Sequence, residues 1–247
     1  MNKIISKQTF VKTNELMPIV VRFGNRAMLE EHLCQQIVGL LRSSIDTKGE
    51  ASLAVSGGRT PTALFQQLSE QSLDWSKVTI VLVDERWVDA DHEDSNERLV
   101  RLNLLQNQAV KARLIGLKTA ASGALEGMDE LTEKLASLPP VLDAVILGMG
   151  EDGHTASFFP KAQELSQALD LQSTRSCQSV TPVDAPHQRM TLTLPRLLAS
   201  QRIFLHLCGE GKLPVLEKAM KAGEVEDMPV RSVLRQKNTP VEICWAP

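Results

Sequence analysis

The stretch Leu147–Pro160 reads LGMGEDGHTASFFP. It sets a histidine, His154, two residues after an acid, Asp152, in a loop holding three glycines within six positions. The apolar run VLDAVILGMG leads into it, so the loop sits at the end of a buried strand. Three chemistries are open to such a histidine: part of a phosphate loop, a metal ligand, or a base that takes a proton near neutral pH. The remaining four histidines supply no partner. His32 falls in a helix, His92 in an acidic loop, His187 beside a proline and His206 inside the apolar RIFLHLC, and neither HxxxH nor HxH occurs. No metal site is expected from those spacings.

A second glycine turn, Ser56, Gly57, Gly58, Arg59 and Thr60, stands between ASLAV and TALFQQLSE. Paired glycines let the backbone approach a ligand, and the following helix offers free N–H groups and the positive end of its dipole. The turn thus reads as an anion cradle, with a merely tight turn as the other reading. Neither GxGxxG nor the Walker pattern is completed, which argues against a dinucleotide. VDERWV places Asp84, Glu85 and Arg86 directly after apolar strand residues. That set suits polyol hydroxyls, an orienting role beside a base, or an ion pair serving only the fold. Arg98 and Arg101 in SNERLVR fit a solvated helix face. Arg189 in HQRMTLT and Lys212 in CGEGKLP are isolated cations flanking strands. Joined to the cradle, they supply the positive charge that a phosphate monoester of about −1.5 to −2 requires.

These segments need a frame that brings them together. Apolar positions Met28, Leu29, Leu33, Ile37, Leu40 and Leu41 predict a helix from Asn25 to about Ser43 with one buried face. ASLAV then reads as a buried strand, and RTPTALFQQLSE as a helix with Pro61 in its first turn and Thr60 as its cap. The alternation continues with strand VTIVLVDE, helix SNERLVRLNLL capped near Ser95, strand ARLIGL, helix ALEGMDELTEKLASL and strand LDAVILGMG. It ends with strand RMTLTL, a helix starting at Pro195, strand RIFLHLC, helix GKLPVLEKAMKAG and strand VEICWAP. Strands alternating with helices imply right-handed crossovers and a parallel sheet covered on both faces. No linker or repeat interrupts residues 1–247, which read as one domain. Ligands of such sheets bind outside the carboxyl ends of the strands. SGGRT, VDERW, GMGEDGH and CGEGK all fall there.

Composition narrows the partners. A net charge of −3 and the absence of tyrosine argue against nucleic acid, which asks for basic excess or stacking aromatics. The four cysteines are scattered, as reduced thiols of a cytoplasmic protein would be. MNKIISKQTF lacks a signal-peptide core, and no apolar run reaches the length of a membrane span.

AVSGGRTP, VDERWV, SNERLVR, LGMGEDGHTASFFP, RMTLTLP and GEGKLPVLEKAM, in this order from residue 54 to residue 220, resemble the glucosamine-6-phosphate isomerase/6-phosphogluconolactonase family. GEDGHTASFFP is the most specific of them. The resemblance implies a three-layer α/β/α fold with a Rossmann-like, mostly parallel sheet, a phosphosugar ligand and no required cofactor. It implies that Ser56, Gly57, Gly58 and Thr60 hold the phosphate with Arg189 and Lys212, and that Asp84 and Arg86 sit over the sugar. Gly150 joins the binding positions, His154 is the catalytic base with Asp152 nearby, and Glu85 and Arg98 are carried as further candidates. Deaminases of the family keep an acid five positions after the histidine; here that position is Phe159, which can neither exchange a proton nor orient an imidazole. The expected reaction is therefore lactone hydrolysis in the oxidative pentose phosphate pathway, in the cytoplasm, by a monomer or weak homodimer. Glucosamine-6-phosphate deamination, sugar-phosphate isomerisation and non-catalytic sugar-phosphate sensing are the alternatives.

Overall fold

The computed structural model describes residues 17–247, so the reading of MNKIISKQTF lies outside the described residues. The first half of the chain forms β1 (Ile19–Arg22), α1 (Arg26–Lys48), β2 (Ala51–Val55), α2 (Thr62–Ser69), β3 (Val78–Leu82), β4 (Asp84–Arg86), α3 (Asn96–Asn103), β5 (Arg113–Ile115) and α4 (Met128–Leu135). The second half forms β6 (Ala144–Leu147), α5 (Leu165–Leu169), β7 (Cys177–Val180), β8 (Arg189–Leu192), α6 (Leu194–Leu198), β9 (Ile203–Cys208), α7 (Lys212–Met220), α8 (Val230–Arg235) and β10 (Val241–Ala246).

Seven strands build a parallel sheet in the order β1-β10-β9-β6-β2-β3-β5, flanked by helices. Every residue of β2 and β6 is buried, which explains their unbroken apolar runs: a strand covered on both faces has no polar side to present. The predicted first helix forms and runs one turn further, to Lys48, with the Asn25 side chain accepting from the Met28 amide at its start.

Three expectations are corrected. VTIVLVDE is not one strand, and RMTLTL does not belong to the parallel sheet. The chain leaves the large sheet after Leu82, and β4 pairs antiparallel with β8, which pairs with β7, in a small sheet of its own. Val83 is the joint: its amide donates to Val55 O in one sheet and its carbonyl accepts from Leu192 N in the other. Charged Asp84, Glu85 and Arg86 have no place in a doubly covered sheet, and the turn-out carries them to the strand ends instead. Thr60, third, does not cap a helix; α2 begins at Thr62 after Pro61 and has no side-chain cap. Strands β1 and β7 and the short α5 and α8 were not foreseen, being too brief for a period to show.

At the amino ends of the central strands, far from the site, Asp143 ties the layers together. Its buried carboxylate accepts from Ser44 Oγ (2.6 Å), Lys48 Nζ (2.9 Å), Ser52 N (2.7 Å) and Ser52 Oγ (3.0 Å), and from the Gln201 amide. Burial alone would raise this carboxyl, but those hydrogen bonds outweigh it and hold it below the usual carboxylate range. Among the described residues no helix is long and apolar enough to cross a membrane.

Candidate active site

A cleft opens at the carboxyl ends of the strands, as the topology requires. Ser56, Gly57, Gly58 and Thr60 after β2, Asp84 and Arg86 on β4, Gly150 and His154 after β6, and Lys212 at the start of α7 all line it. Residues from four separate strand ends, up to 156 positions apart in sequence from Ser56 to Lys212, share one wall.

The His154 loop is built around its ring. Asp152 Oδ1 accepts from the His154 amide (3.0 Å) and lies 2.6 Å from ring Nδ1. Partial burial would raise the Asp152 carboxyl, yet the hydrogen bonds from His154 hold it below its ordinary value. With Nδ1 engaged, Nε2 is the ring nitrogen without a protein partner among the described residues. A Cβ at Gly150 would stand 2.2 Å from His154 Nδ1 and 2.6 Å from Asp152 Oδ1, so glycine there makes room for the pair. The Gly150 amide is not free for a ligand, because it donates to His154 O at 2.8 Å. Further along, Ala156 holds a left-handed φ of 50°, a conformation that an L side chain adopts at a cost. The kink is pinned on both sides by Thr155 Oγ1 donating to Gly148 O (2.7 Å) and Ser157 Oγ donating to Asp84 (2.6 Å).

Phe159 corrects one expectation. Its ring packs on the His154 imidazole with centroids 4.4 Å apart, so it does orient the imidazole, by contact rather than by a hydrogen bond. Behind it, the Arg189 guanidinium lies 5.7 Å from the Phe159 ring. Arg189 is buried, donates from Nη2 to Pro186 O, leaves Nε without a partner, and is not among the lining residues. Burial first, and then the neighbouring charge of Arg86, lower its affinity for its proton.

The cradle lines the same cleft. The amides of Gly57, Gly58, Arg59 and Thr60 have no backbone acceptor among the described residues, and they precede the N-terminus of α2. A Cβ at Gly57 would meet Asn96 Oδ1 at 1.8 Å, so any side chain there would displace the Asn96 amide. Asn96 is a lining residue that the sequence reading missed; the only signal was the helix start around Ser95. Its Nδ2 donates to Asp84 O at 2.8 Å.

Glu85 is not in the cleft. Its buried carboxylate accepts from the amides of Arg86 (2.8 Å), Asn96 (2.8 Å) and Glu97 (2.7 Å) and from Ser95 Oγ (3.1 Å), clamping the start of α3. Burial is the larger influence and raises this carboxyl despite those donors. Arg98 is exposed on α3, away from the lining, and Arg101 pairs with Glu97 on the same surface. His206, by contrast, belongs to the apolar strand β9 and lines the cleft. Burial, followed by the charge of Arg26, pushes it down to about 4, so it stands neutral.

Known proteins are similar to this chain in sequence and in fold. A family model described as glucosamine-6-phosphate isomerases/6-phosphogluconolactonase matches residues 24–245. A curated protein of Pseudomonas aeruginosa named 6-phosphogluconolactonase is 43% identical over 91% of this chain and 93% of its own. One of the same name from Rhizobium meliloti is 44% identical over 91% of this chain and 97% of its own. A solved structure of a 6-phosphogluconolactonase from Shewanella baltica superposes with a TM-score of 0.92 at 46% identity, covering 94% of this chain and all of the other. A cleft assembled from these strand ends, on a chain matched almost from end to end, places the protein in the glucosamine-6-phosphate isomerase/6-phosphogluconolactonase family.

Proposed function

We propose that the chain hydrolyses 6-phospho-D-glucono-1,5-lactone to 6-phosphogluconate in the cytoplasm, the activity for which its relatives are named, with His154 as general base. The observation that carries the residue assignment is the clamp of Asp152 on His154 Nδ1, which leaves Nε2 for a water in a cleft that also holds the free amides of Gly57, Gly58 and Thr60.

The lactone phosphate sits on the amides of Gly57, Gly58 and Thr60, at the start of α2, with the Lys212 ammonium beside it. Binding energy from that remote group goes into orienting C1. Ser56 supports the turn through its hydroxyl, which donates to Ile146 O at 3.0 Å and keeps lone pairs for a ligand. Asp84 and Arg86 face the sugar hydroxyls, and Asn96 sets the position of Asp84. Arg189 acts from behind by seating Phe159 on the imidazole.

In the reaction, Nε2 takes a proton from water as its oxygen attacks C1, and the carbonyl oxygen becomes an oxyanion. Asp152 stabilises the imidazolium through Nδ1. The intermediate collapses by breaking the bond from C1 to the ring oxygen, which receives the proton from Nε2. Acid, sugar hydroxyl and neutral histidine result, and no covalent nucleophile is needed for so activated an ester.

The test is early-time hydrolysis of the lactone by purified protein, corrected for spontaneous hydrolysis and compared with His154→Ala. The variant is expected to lose about 10²–10⁴-fold in kcat while a phosphosugar acid still binds. Near-normal turnover removes His154 from the mechanism. Ammonia release from glucosamine 6-phosphate, or ligand binding without any hydrolysis by the parent protein, overturns the activity itself.

A further inference from the structure

Away from the cleft, on the face of the sheet covered by α1, three donors of different kinds converge. Glu242 and Cys244 lie two positions apart on β10, so their side chains leave the same face of the sheet. His32 reaches them from α1 across 210 positions of sequence. Its Nε2 is 2.6 Å from Glu242 Oε1, and Cys244 Sγ is 3.6 Å from the same oxygen. One ligand atom from each of the three fits within a mutual distance of 4.8 Å. None of the three lines the cleft.

We infer that His32, Glu242 and Cys244 form a three-ligand site for a borderline divalent ion of the zinc class, with the fourth position open to solvent. Nitrogen, oxygen and sulfur donors in one set favour zinc or cobalt over magnesium or calcium, which take oxygen alone. A tetrahedral ion with bonds of about 2.0–2.3 Å separates its ligand atoms by roughly 3.3–3.7 Å. The Cys244–Glu242 spacing already falls in that range. The His32–Glu242 contact must lengthen by less than about 1 Å, which a small χ adjustment of a partly exposed imidazole provides.

The frame is rigid where it needs to be. β10 is paired on both edges, with β1 and β9, so Glu242 and Cys244 cannot drift apart. Arg202 lies 3.6 Å from Glu242 Oε2 and holds that oxygen, leaving Oε1 to the ion. The Phe23 ring packs on the His32 ring at 5.0 Å. His32 is 30% exposed in its side chain, while Glu242 is 11%, so the ion enters past the histidine. On binding, the thiol proton passes to solvent, the neutral imidazole carries its one proton on Nδ1, and the ion takes one lone pair each from sulfur, Nε2 and carboxylate oxygen.

The experiment uses the untagged, chelator-stripped full chain titrated with Co²⁺. One equivalent is expected to produce visible bands of a four-coordinate ion and a near-ultraviolet thiolate-to-cobalt charge-transfer band, both abolished by added zinc. Cys244→Ser removes the charge-transfer band, His32→Ala weakens cobalt binding at least tenfold, and Cys177→Ser changes neither. Should Cys244→Ser fail to fold, His32→Ala, a partly exposed position, decides alone. The assignment is overturned by a parent protein without the charge-transfer band. It is also overturned by a band that survives His32→Ala at full affinity, or by one lost only in Cys208→Ser, since Cys208 Sγ lies 3.5 Å from His206 Nε2 in the cleft wall.

Discussion

His154 is held by three contacts of different physics: a charge-assisted hydrogen bond to Asp152, an aromatic face from Phe159, and space left by Gly150. Removing the space is the most discriminating of the residue-level tests. Gly150→Ala puts a methyl 2.2 Å from Nδ1, and the ring must move off its acid. Loss of kcat by at least about tenfold is expected from such misplacement, with circular dichroism and KM little changed; parent-like kcat would show that the clamp is not needed. Lys212 belongs to binding instead. Its ammonium faces the cleft at the start of α7, and Lys212→Ala is expected to raise KM by roughly tenfold or more, since hydrogen bonds to charged groups contribute about 1.5–3 kcal/mol. Steady-state kinetics at matched pH and salt separate the two effects.

Among the elements, β4 has the most demanding position. It is three residues long, belongs to a different sheet from its neighbour β3, and still delivers Asp84 and Arg86 to the cleft while Glu85 points back to clamp α3. Alternation along a strand is what divides these three residues between site and scaffold. At the other end of the central strands, Asp143 joins α1 to β2 and to Gln201 ahead of β9 without touching the cleft. Asp143→Ala leaves Ser52 N and two hydroxyls without their acceptor, and a loss on the order of 3 kcal/mol is expected. Urea unfolding measures it, and kcat of the folded fraction should stay within about twofold because the two ends of the sheet share no contacts at the site.

At the scale of the whole molecule, His206 gives stability a pH dependence. The unfolded chain binds this proton near the ordinary histidine value of 6.5, whereas the folded chain binds it only near 4. Between those values the unfolded state holds more protons, so stability is fully present above about pH 6.5 and falls as pH drops towards 4. Each tenfold difference in proton affinity is about 1.4 kcal/mol, which puts the loss on the order of 3 kcal/mol. His206→Met, which cannot take the proton, should flatten the denaturation midpoint over that window; an unchanged slope would assign it elsewhere. Asp143 and Glu242 act in a lower window. Both carboxyls are held below their ordinary values against the effect of burial, so their contribution is fully present above the unfolded carboxylate range and is lost as pH falls below it through the depressed folded values.

The sequence alone carried the parallel architecture, most of its strands and helices, and the loops that meet at the site. Period and turn residues are local properties, and a rule of topology puts the ends of parallel strands on one side. It also carried the His154 loop, the glycine cradle and Lys212, because glycine patterns and flanking strands are written in neighbouring residues. What lay beyond it were the facts set by distance through space. The turn-out at Val83 depends on Val55 and Leu192, the place of Asn96 depends on Gly57, and the stacking of Phe159 on His154 depends on a left-handed residue between them. The convergence of His32 with Glu242 and Cys244 needs a helix at one end of the chain to lie over the last strand at the other. A chain encodes such contacts only through the energy of the whole fold, so no short window of residues displays them.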